Sequence, residues 1–167
     1  MMNFENIFTP YKARKLTEAD VPDILGLYLE NAEYFKHCPP SPSRKTVKED
    51  LAALPPAKEA ADKYFIGIFD GTFLVTVLDL IDRYPDSRTA FIGLFMVSKS
   101  YQRQGIGTYI VKALSQTLGA DGYMRIRLGY IKTNLSARSF WLKQGFQPTG
   151  AESAREHYTV IEAEKGL

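Results

Sequence analysis

Residues 97–108 read VSKSYQRQGIGT, and this stretch constrains the chain more than any other. An apolar run, Phe91 to Val97, leads into it and an amphipathic stretch leads out. The run shows no alternation, which predicts a strand covered on both faces. After the turn, Ile106, Ile110, Leu114 and Leu118 recur every four residues with Val111 beside them, the pattern of a helix laying one face on a sheet. Two glycines, Gly105 and Gly107, stand where that helix begins. Glycine there carries an entropic cost, so the position requires a bare backbone. A helix N-terminus offers free N–H groups and a partial positive charge. The turn therefore reads as a cradle for a phosphate or pyrophosphate. On the glycines alone, a tight strand-to-helix turn that binds nothing accounts for the spacing equally well.

The rest of the chain supplies a context of mixed elements. Residues 11–16 form a first strand of modest alternation. Residues 17–35 read as one helix, capped by Thr17 or Asp20, with Pro22 near its start and an apolar stripe of Ile24, Leu27 and Tyr28. A Pro-rich break follows, then a short helix over about 44–54 that stops at Pro55 and Pro56. Residues 64–80 form a hairpin turning at Asp70-Gly71. Beyond the glycine helix, which ends at Gly119 and Gly122, comes a strand over 123–131. A helix over 134–144 follows, capped near Asn134 or Ser136 and closed by Gly145, and then a last strand over 158–164. These elements predict a single domain over residues 1–167. Its class is α+β, or mixed α/β, with an antiparallel first half and a strand–helix–strand–helix second half.

Composition narrows the function. With 167 residues and a net charge of +2, the chain lacks the basic stripe that nucleic-acid binding needs. No Cys/His cluster has metal-ligand spacing, so no metal is expected. One cysteine, Cys38, excludes an internal disulfide framework and fits a reducing compartment; beside Pro39 it reads as an incidental thiol. The N-terminus lacks a basic-then-apolar leader and no apolar run reaches membrane length. A cytoplasmic protein without a membrane partner is the expectation.

Two familiar cradles fail on the residues. A P-loop requires a lysine between its last glycine and Ser/Thr, and Thr108 follows Gly107 directly. A dinucleotide fingerprint requires a small residue where Ile110 stands, and an acidic residue about twenty positions on, around Arg127. A third pattern fits. Gln102 to Gly107, QRQGIG, resembles the Gln/Arg-x-x-Gly-x-Gly motif of the GNAT superfamily of acyl-CoA-dependent N-acetyltransferases, with LFMV before it at the usual offset. Asn134, Ala137, Phe140-Trp141 and Gly145-Phe146 resemble that superfamily's second motif. The two motifs fall in order over about 91–146.

The resemblance implies a central, mostly antiparallel mixed sheet with helices on both faces. It implies a bulged strand before the turn that leaves a V-shaped gap, with acetyl-CoA as co-substrate. The pantetheine arm of acetyl-CoA would lie in that gap against Phe95, Met96 and Val97. The Phe95 N–H would serve as oxyanion donor. The pyrophosphate would meet N–H groups from Arg103, Gln104, Gly105, Ile106, Gly107 and Thr108, with Gln102 as a further polar donor. Asn134 would hydrogen-bond the arm, with Ala137, Phe140 and Trp141 packed near it. A homodimer is also common among such proteins.

The sequence departs from the family pattern at the chemistry. Trp141 stands where many relatives carry a proton-donating tyrosine, and an indole N–H is no practical proton source. Phe91, Gly129 and Lys132 occupy places where relatives carry a glutamate base. Tyr130 is the substitute acid; Glu33, His37 and Asp79 are the candidate bases. Tyr34 and Asp79 are expected at the acceptor site, among aromatics that include Tyr28, Phe35, Tyr64 and Tyr158. Glu33 and Asp79 suit an amine, whereas Lys132 suits an anion, so a small-molecule or peptide amine both fit. The missing acid and base favour an alternative, a CoA-binding sensor without turnover. A third reading, an interaction domain using the aromatic first half, requires Tyr34 and Phe35 to be exposed.

Overall fold

A computed structural model describes residue 4 and residues 6–167. Seven strands form one sheet in the order β1-β2-β3-β4-β5-β7-β6. They are β1 (Lys12–Lys15), β2 (Lys63–Asp70), β3 (Phe73–Ile81), β4 (Thr89–Val97), β5 (Arg125–Ile131), β6 (Gln147–Ala154) and β7 (Thr159–Gly166). Only β4 and β5 run parallel; every other pairing is antiparallel. The helices are α1 (Val21–Glu30), α2 (Ala32–His37), α3 (Arg44–Ala52), α4 (Ile106–Ala120) and α5 (Leu135–Lys143). This is the mixed, mostly antiparallel sheet expected from the motifs.

Two apolar clusters fill the two faces. Ile110, Leu114 and Leu118 of α4 pack with Trp141 of α5 and with Ile66, Leu78, Ile92 and Leu128 of the sheet. On the other face, Ile24, Leu27 and Tyr28 of α1 and Val47 of α3 pack on Phe65, Val77 and Met96. The stripes read from the sequence are thus the buried faces of α1 and α4. Burying each such side chain contributes about 1.5–3 kcal/mol.

The helix expected over 17–35 is two. Thr17 and Asp20 form a capping box on a single 3-10 turn, α1 runs to Glu30, and Asn31 leaves helical geometry at φ −102°, ψ 38° before α2 begins. Asn31 breaks the helix because its side chain serves elsewhere: Nδ2 donates to the carbonyls of Leu27 (2.9 Å) and Val97 (3.2 Å). The hairpin forms, but its turn lies one residue later than Asp70-Gly71: Asp70 pairs with Phe73, so the two loop residues are Gly71, at φ +58°, and Thr72. The strand β6 has no counterpart in the sequence reading. All eight of its residues are exposed, so no burial pattern marks it, and Pro148 and Gly150 argue against a strand.

The parallel pairing of β4 and β5 is short. It runs from Thr89 opposite Arg125 to Ile92 opposite Leu128 and stops. At that point β4 slips by one residue against β3: Asp79 lies opposite Leu94, but Leu80 lies opposite Ile92, leaving Gly93 as a bulge. A one-residue slip exchanges the faces of every later side chain. Ala90 and Ile92 face the α4 side; past the bulge, Phe95 and Val97 face it instead, and Leu94 and Met96 turn to α1.

Gly129 sits where β5 starts to diverge, and a Cβ there would lie 2.5 Å from Cγ1 of Val160. Valine is stiff about χ1 and cannot swing aside cheaply. Gly129→Ala is expected to destabilise the protein by about 1–3 kcal/mol. Urea unfolding checks this, with a lowered midpoint at unchanged slope.

Candidate active site

The divergence of β4 from β5 opens a gap whose one wall is a strand with free backbone groups. The Ser98 N–H donates to the Val75 carbonyl (2.7 Å). Antiparallel pairs alternate, so Met96 and Leu94 also point their backbone at β3, while Phe95 and Val97 point theirs into the gap. Met96 is accordingly a core residue, 4% exposed, with its backbone turned away from the gap. The Val97 carbonyl is already taken, accepting from Asn31 Nδ2 and from Gln102 Nε2 (2.8 Å). The Phe95 N–H and C=O and the Val97 N–H face the gap.

The gap leads to the glycine turn. Arg103 (φ 59°) and Gly105 (φ +82°) both adopt left-handed backbone, and Gly105 is the N-cap of α4 without a side-chain cap bond. A Cβ on Gly105 would meet nothing within 4 Å, so the space above the turn is open. The first N–H groups of α4 have no intrahelical partner. An anion of pyrophosphate size fits these features. The glutamines serve the turn itself. Gln102 Nε2 also donates to Asn31 Oδ1 (2.7 Å), and Gln104 Nε2 donates to the Ser100 carbonyl (2.7 Å). Arg103 is exposed and makes no ion pair among the described residues. Gly107 has a packing reason: a Cβ would stand 3.2 Å from the Phe140 ring. Ile106 is core, and Thr108 Oγ1 accepts from Gln144 Nε2 of the α5 C-terminus (3.0 Å).

The second motif builds the α4–α5 wall. Asn134 caps α5, its Oδ1 accepting from the Ala137 N–H (3.0 Å). Its Nδ2 donates to nothing among the described residues. Ala137 packs against the core. Phe140 stacks on Phe95 with centroids 5.9 Å apart, and Trp141 touches Phe95, Phe140 and Phe146. Trp141 is thus a buried packing residue. Tyr130 lies in the same apolar cluster, 5% exposed, and its hydroxyl has no hydrogen-bond partner among the described residues.

On the opposite face, α2, α3 and the strand ends enclose a cavity of about 500 Å³. Asp79 and Tyr34 line it, as expected; so does Asp50 of α3, which the sequence reading missed because it resembles a solvated helix residue. Glu33 does not line it. It is exposed on α2 and ion-pairs with Lys36, so the geometric basis for Glu33 as a base is gone. His37 Nδ1 lies 2.8 Å from Thr133 Oγ1, joining α2 to the loop after β5. Lys132 pairs with Glu152 of β6 (3.0 Å) and so offers no separate anion site.

Asp79 is the group with a perturbed carboxyl in the cavity. Its Oδ2 accepts from Lys63 Nζ at 2.7 Å, and Lys63 also donates to the Ala53 carbonyl. Its buried Oδ1 has no partner. Burial pushes the Asp79 pKa from 3.8 to about 6, despite the opposing pull of Lys63 and with a smaller upward push from Asp50. Burial also raises Asp50, whose Oδ2 accepts from the Tyr28 hydroxyl at 2.8 Å. The Tyr34 and Tyr158 phenols, set against the Cys38 thiol, are raised by burial as well. Among the described residues no three His, Cys, Asp or Glu side chains gather as metal ligands, and no helix is long and apolar enough to cross a membrane.

A parted pair of parallel strands, an anion-ready helix start and a carboxylate-bearing cavity on the far side form an arrangement that suits an acyltransferase. The profile of the acetyltransferase (GNAT) family matches residues 26–146, and the chain belongs to that family. No curated protein sequence matches it. Among solved structures it is similar to the Salmonella typhimurium acetyltransferase that modifies the N-terminal serine of ribosomal protein L7/L12. That likeness has 18% identity, covers 98% of each chain and gives a TM-score of 0.77. An acetyltransferase from Thermus thermophilus gives 0.74 at 21% identity over 94% of this chain and 97% of its own. The PaiA N-acetyltransferase of Thermoplasma acidophilum, solved with coenzyme A, gives 0.66 at 17% identity over 94% and 99%.

Because the Asp79 pKa is raised on folding, the folded state binds its proton more tightly than the unfolded chain. Its contribution to stability therefore falls as pH rises from about 4 through about 6. Lys63→Met removes the counter-charge. The expected loss is about 3–5 kcal/mol at pH 8, where Asp79 is ionised, and distinctly less at pH 5, where it takes up a proton. Urea melts at the two pH values measure the difference; an equal loss at both would show that Lys63 acts by packing alone.

Proposed function

We propose that this protein transfers an acetyl group from acetyl-CoA to a primary amine held in the cavity, by direct attack. The observation that carries the reading is the gap-facing backbone of Phe95 and Val97, aligned with the open N-terminus of α4. When bound, acetyl-CoA supplies an activated thioester, whose C–S bond breaks as the amine's N–C bond forms. The N–H groups of Arg103 to Thr108 would hold the pyrophosphate, the Val97 N–H and Phe95 C=O the pantetheine amides, and Asn134 Nδ2 the arm. Phe140 and Trp141 fix the Phe95 ring and with it the direction of the Phe95 N–H.

That N–H would donate to the oxygen on which charge develops, a contribution of about 3–4 kcal/mol for one donor. Holding donor and acceptor in line contributes about 7–11 kcal/mol. Asp79, with a carboxyl near pH 6, suits the role of base: it is ionised at neutral pH and accepts the amine proton before passing it to solvent. Tyr130, whose hydroxyl is unpartnered, is the candidate donor to the departing sulfur.

Calorimetry tests the donor half. Acetyl-CoA and CoA should both bind the wild type, and Gly105→Asp should abolish the heat by setting a carboxylate over the turn. Saturation at a hundred times Kd should add about 2.7 kcal/mol of stability. Absence of binding in the wild type would refute the cradle. Thiol release with amines tests the acceptor half. The amine kcat/KM should fall as pH drops below about 6, and Asp79→Asn should lower the rate by about 10²–10⁴-fold and remove that inflection. Binding without thiol release from any amine would make the protein a CoA-binding module, the reading that Trp141 favours.

A further inference from the structure

The acceptor's chemistry follows from the charge inventory of the cavity. Two carboxylates line it, the buried Asp79 of β3 and the half-buried Asp50 of α3. A third, Glu49, is exposed and has Lys45 within 3.7 Å. No Lys, Arg or His side chain lines the cavity among the described residues. Lys63 lies behind Asp79 and neutralises one negative charge. Asp50, half-buried, has no ion-pair partner among the described residues, lies close enough to push the Asp79 carboxyl up, and receives one neutral hydrogen bond, from Tyr28. The unpartnered, buried Oδ1 of Asp79, a residue 8% exposed, marks the same cavity as built for a donor that is not part of the chain.

A substrate that fills this cavity displaces water from Asp50. An ionised carboxylate stripped of water and left without a partner is strongly unfavourable. The reacting amine cannot compensate it, because nitrogen must be neutral to attack. A positive charge has to come from another part of the substrate. Leu54, Ile81, Phe91 and Leu94 contribute apolar surface to the same lining. Pro39, Pro40 and Pro55 in the lining have no N–H to offer a peptide backbone, and buried peptide groups need partners.

Resting on the acetyl-transfer reading above, we infer that the acceptor is a small diamine with an apolar spacer. One nitrogen lies at Asp79 and is acetylated. The other stays protonated against Asp50, which sets specificity and takes no part in the transfer.

The test compares isosteres. Thiol release from acetyl-CoA is measured with 1,5-diaminopentane, with hexylamine, in which a methyl replaces one amine, and with a tetrapeptide amide that has a free N-terminus and no basic side chain. The wild type should favour the diamine over hexylamine by about 10- to 100-fold in kcat/KM, the range of one charge-assisted hydrogen bond, mostly through KM. Asp50→Asn keeps an oxygen for Tyr28, and acetyl-CoA affinity reports whether the variant is folded. It should bring diamine and hexylamine to within about twofold of each other. Glu49→Gln should leave the preference intact. Equal wild-type use of diamine and hexylamine, a preference that survives in Asp50→Asn, or faster turnover of the peptide would each overturn the inference. The wild-type comparison decides even where the variant does not fold. Failure of all three amines with acetyl-CoA bound would instead refute the acetyl-transfer reading itself.

Discussion

The slip of one residue at Gly93 is the constraint on which the site depends. A Cβ there would lie 2.6 Å from Asp79 Oδ2, so only glycine lets the bulge and the buried carboxylate occupy adjacent strands. The bulge has three consequences at once. It ends the pairing of β4 with β5. It turns the Phe95 ring onto the aromatic wall of α5. It points the Phe95 and Val97 backbone into the space that the parting creates. A strand that kept its register would place Phe95 on the opposite face and close the gap with its own ladder.

The turn beyond the bulge is held from the other side of the sheet. Asn31 joins Gln102 and the Val97 carbonyl, while Glu30 accepts from the Ser98 hydroxyl (2.8 Å) and the Lys99 N–H (3.1 Å). The end of α1 therefore fixes the path of the chain from β4 into the turn. The same break at Asn31 directs α2 across the gap, where His37 meets Thr133. One helix interruption thus bears on both the glycine turn and the cavity.

Much of this was legible in the sequence wherever a repeating burial pattern or a steric requirement left its mark. The four-residue recurrence of Ile106, Ile110, Leu114 and Leu118 defined α4, and the glycines around position 105 defined its approach. The second motif located α5, its cap near Asn134 and its aromatic wall. What escaped had no such pattern. The exposed strand β6 exists because β7 offers it an edge, a nonlocal cause. The break at Asn31 depends on Val97 and Gln102, 66 and 71 residues away. Glu33 and Asp50 are both acidic residues on short helices, and only the packing of α2 and α3 decides which one turns inward. Asp79 was the exception: an acid inside the apolar strand FLVTVLDLI signals a special partner, and Lys63, heading the neighbouring strand, is that partner.

The two halves of the site solve opposite electrostatic problems with different means. On the proposed donor side an anion would be met chiefly by backbone: helix N–H groups, a left-handed glycine and strand amides, all neutral dipoles held rigidly. Such dipoles need no counter-ion and no pKa adjustment, so the turn works at the surface with one exposed arginine nearby. On the proposed acceptor side a cation would be met by carboxylates, the buried Asp79 and the half-buried Asp50. These are unfavourable to desolvate alone, which is why Asp79 retains Lys63 and Asp50 retains Tyr28. The two proposed sites use opposite faces of the sheet: Phe95 packs on the α4 side, and Asp79 lines the cavity beneath α2 and α3. The one-residue bulge that ends the β4–β5 pairing also sets the bare Gly93 beside Asp79, so a single glycine conditions both faces.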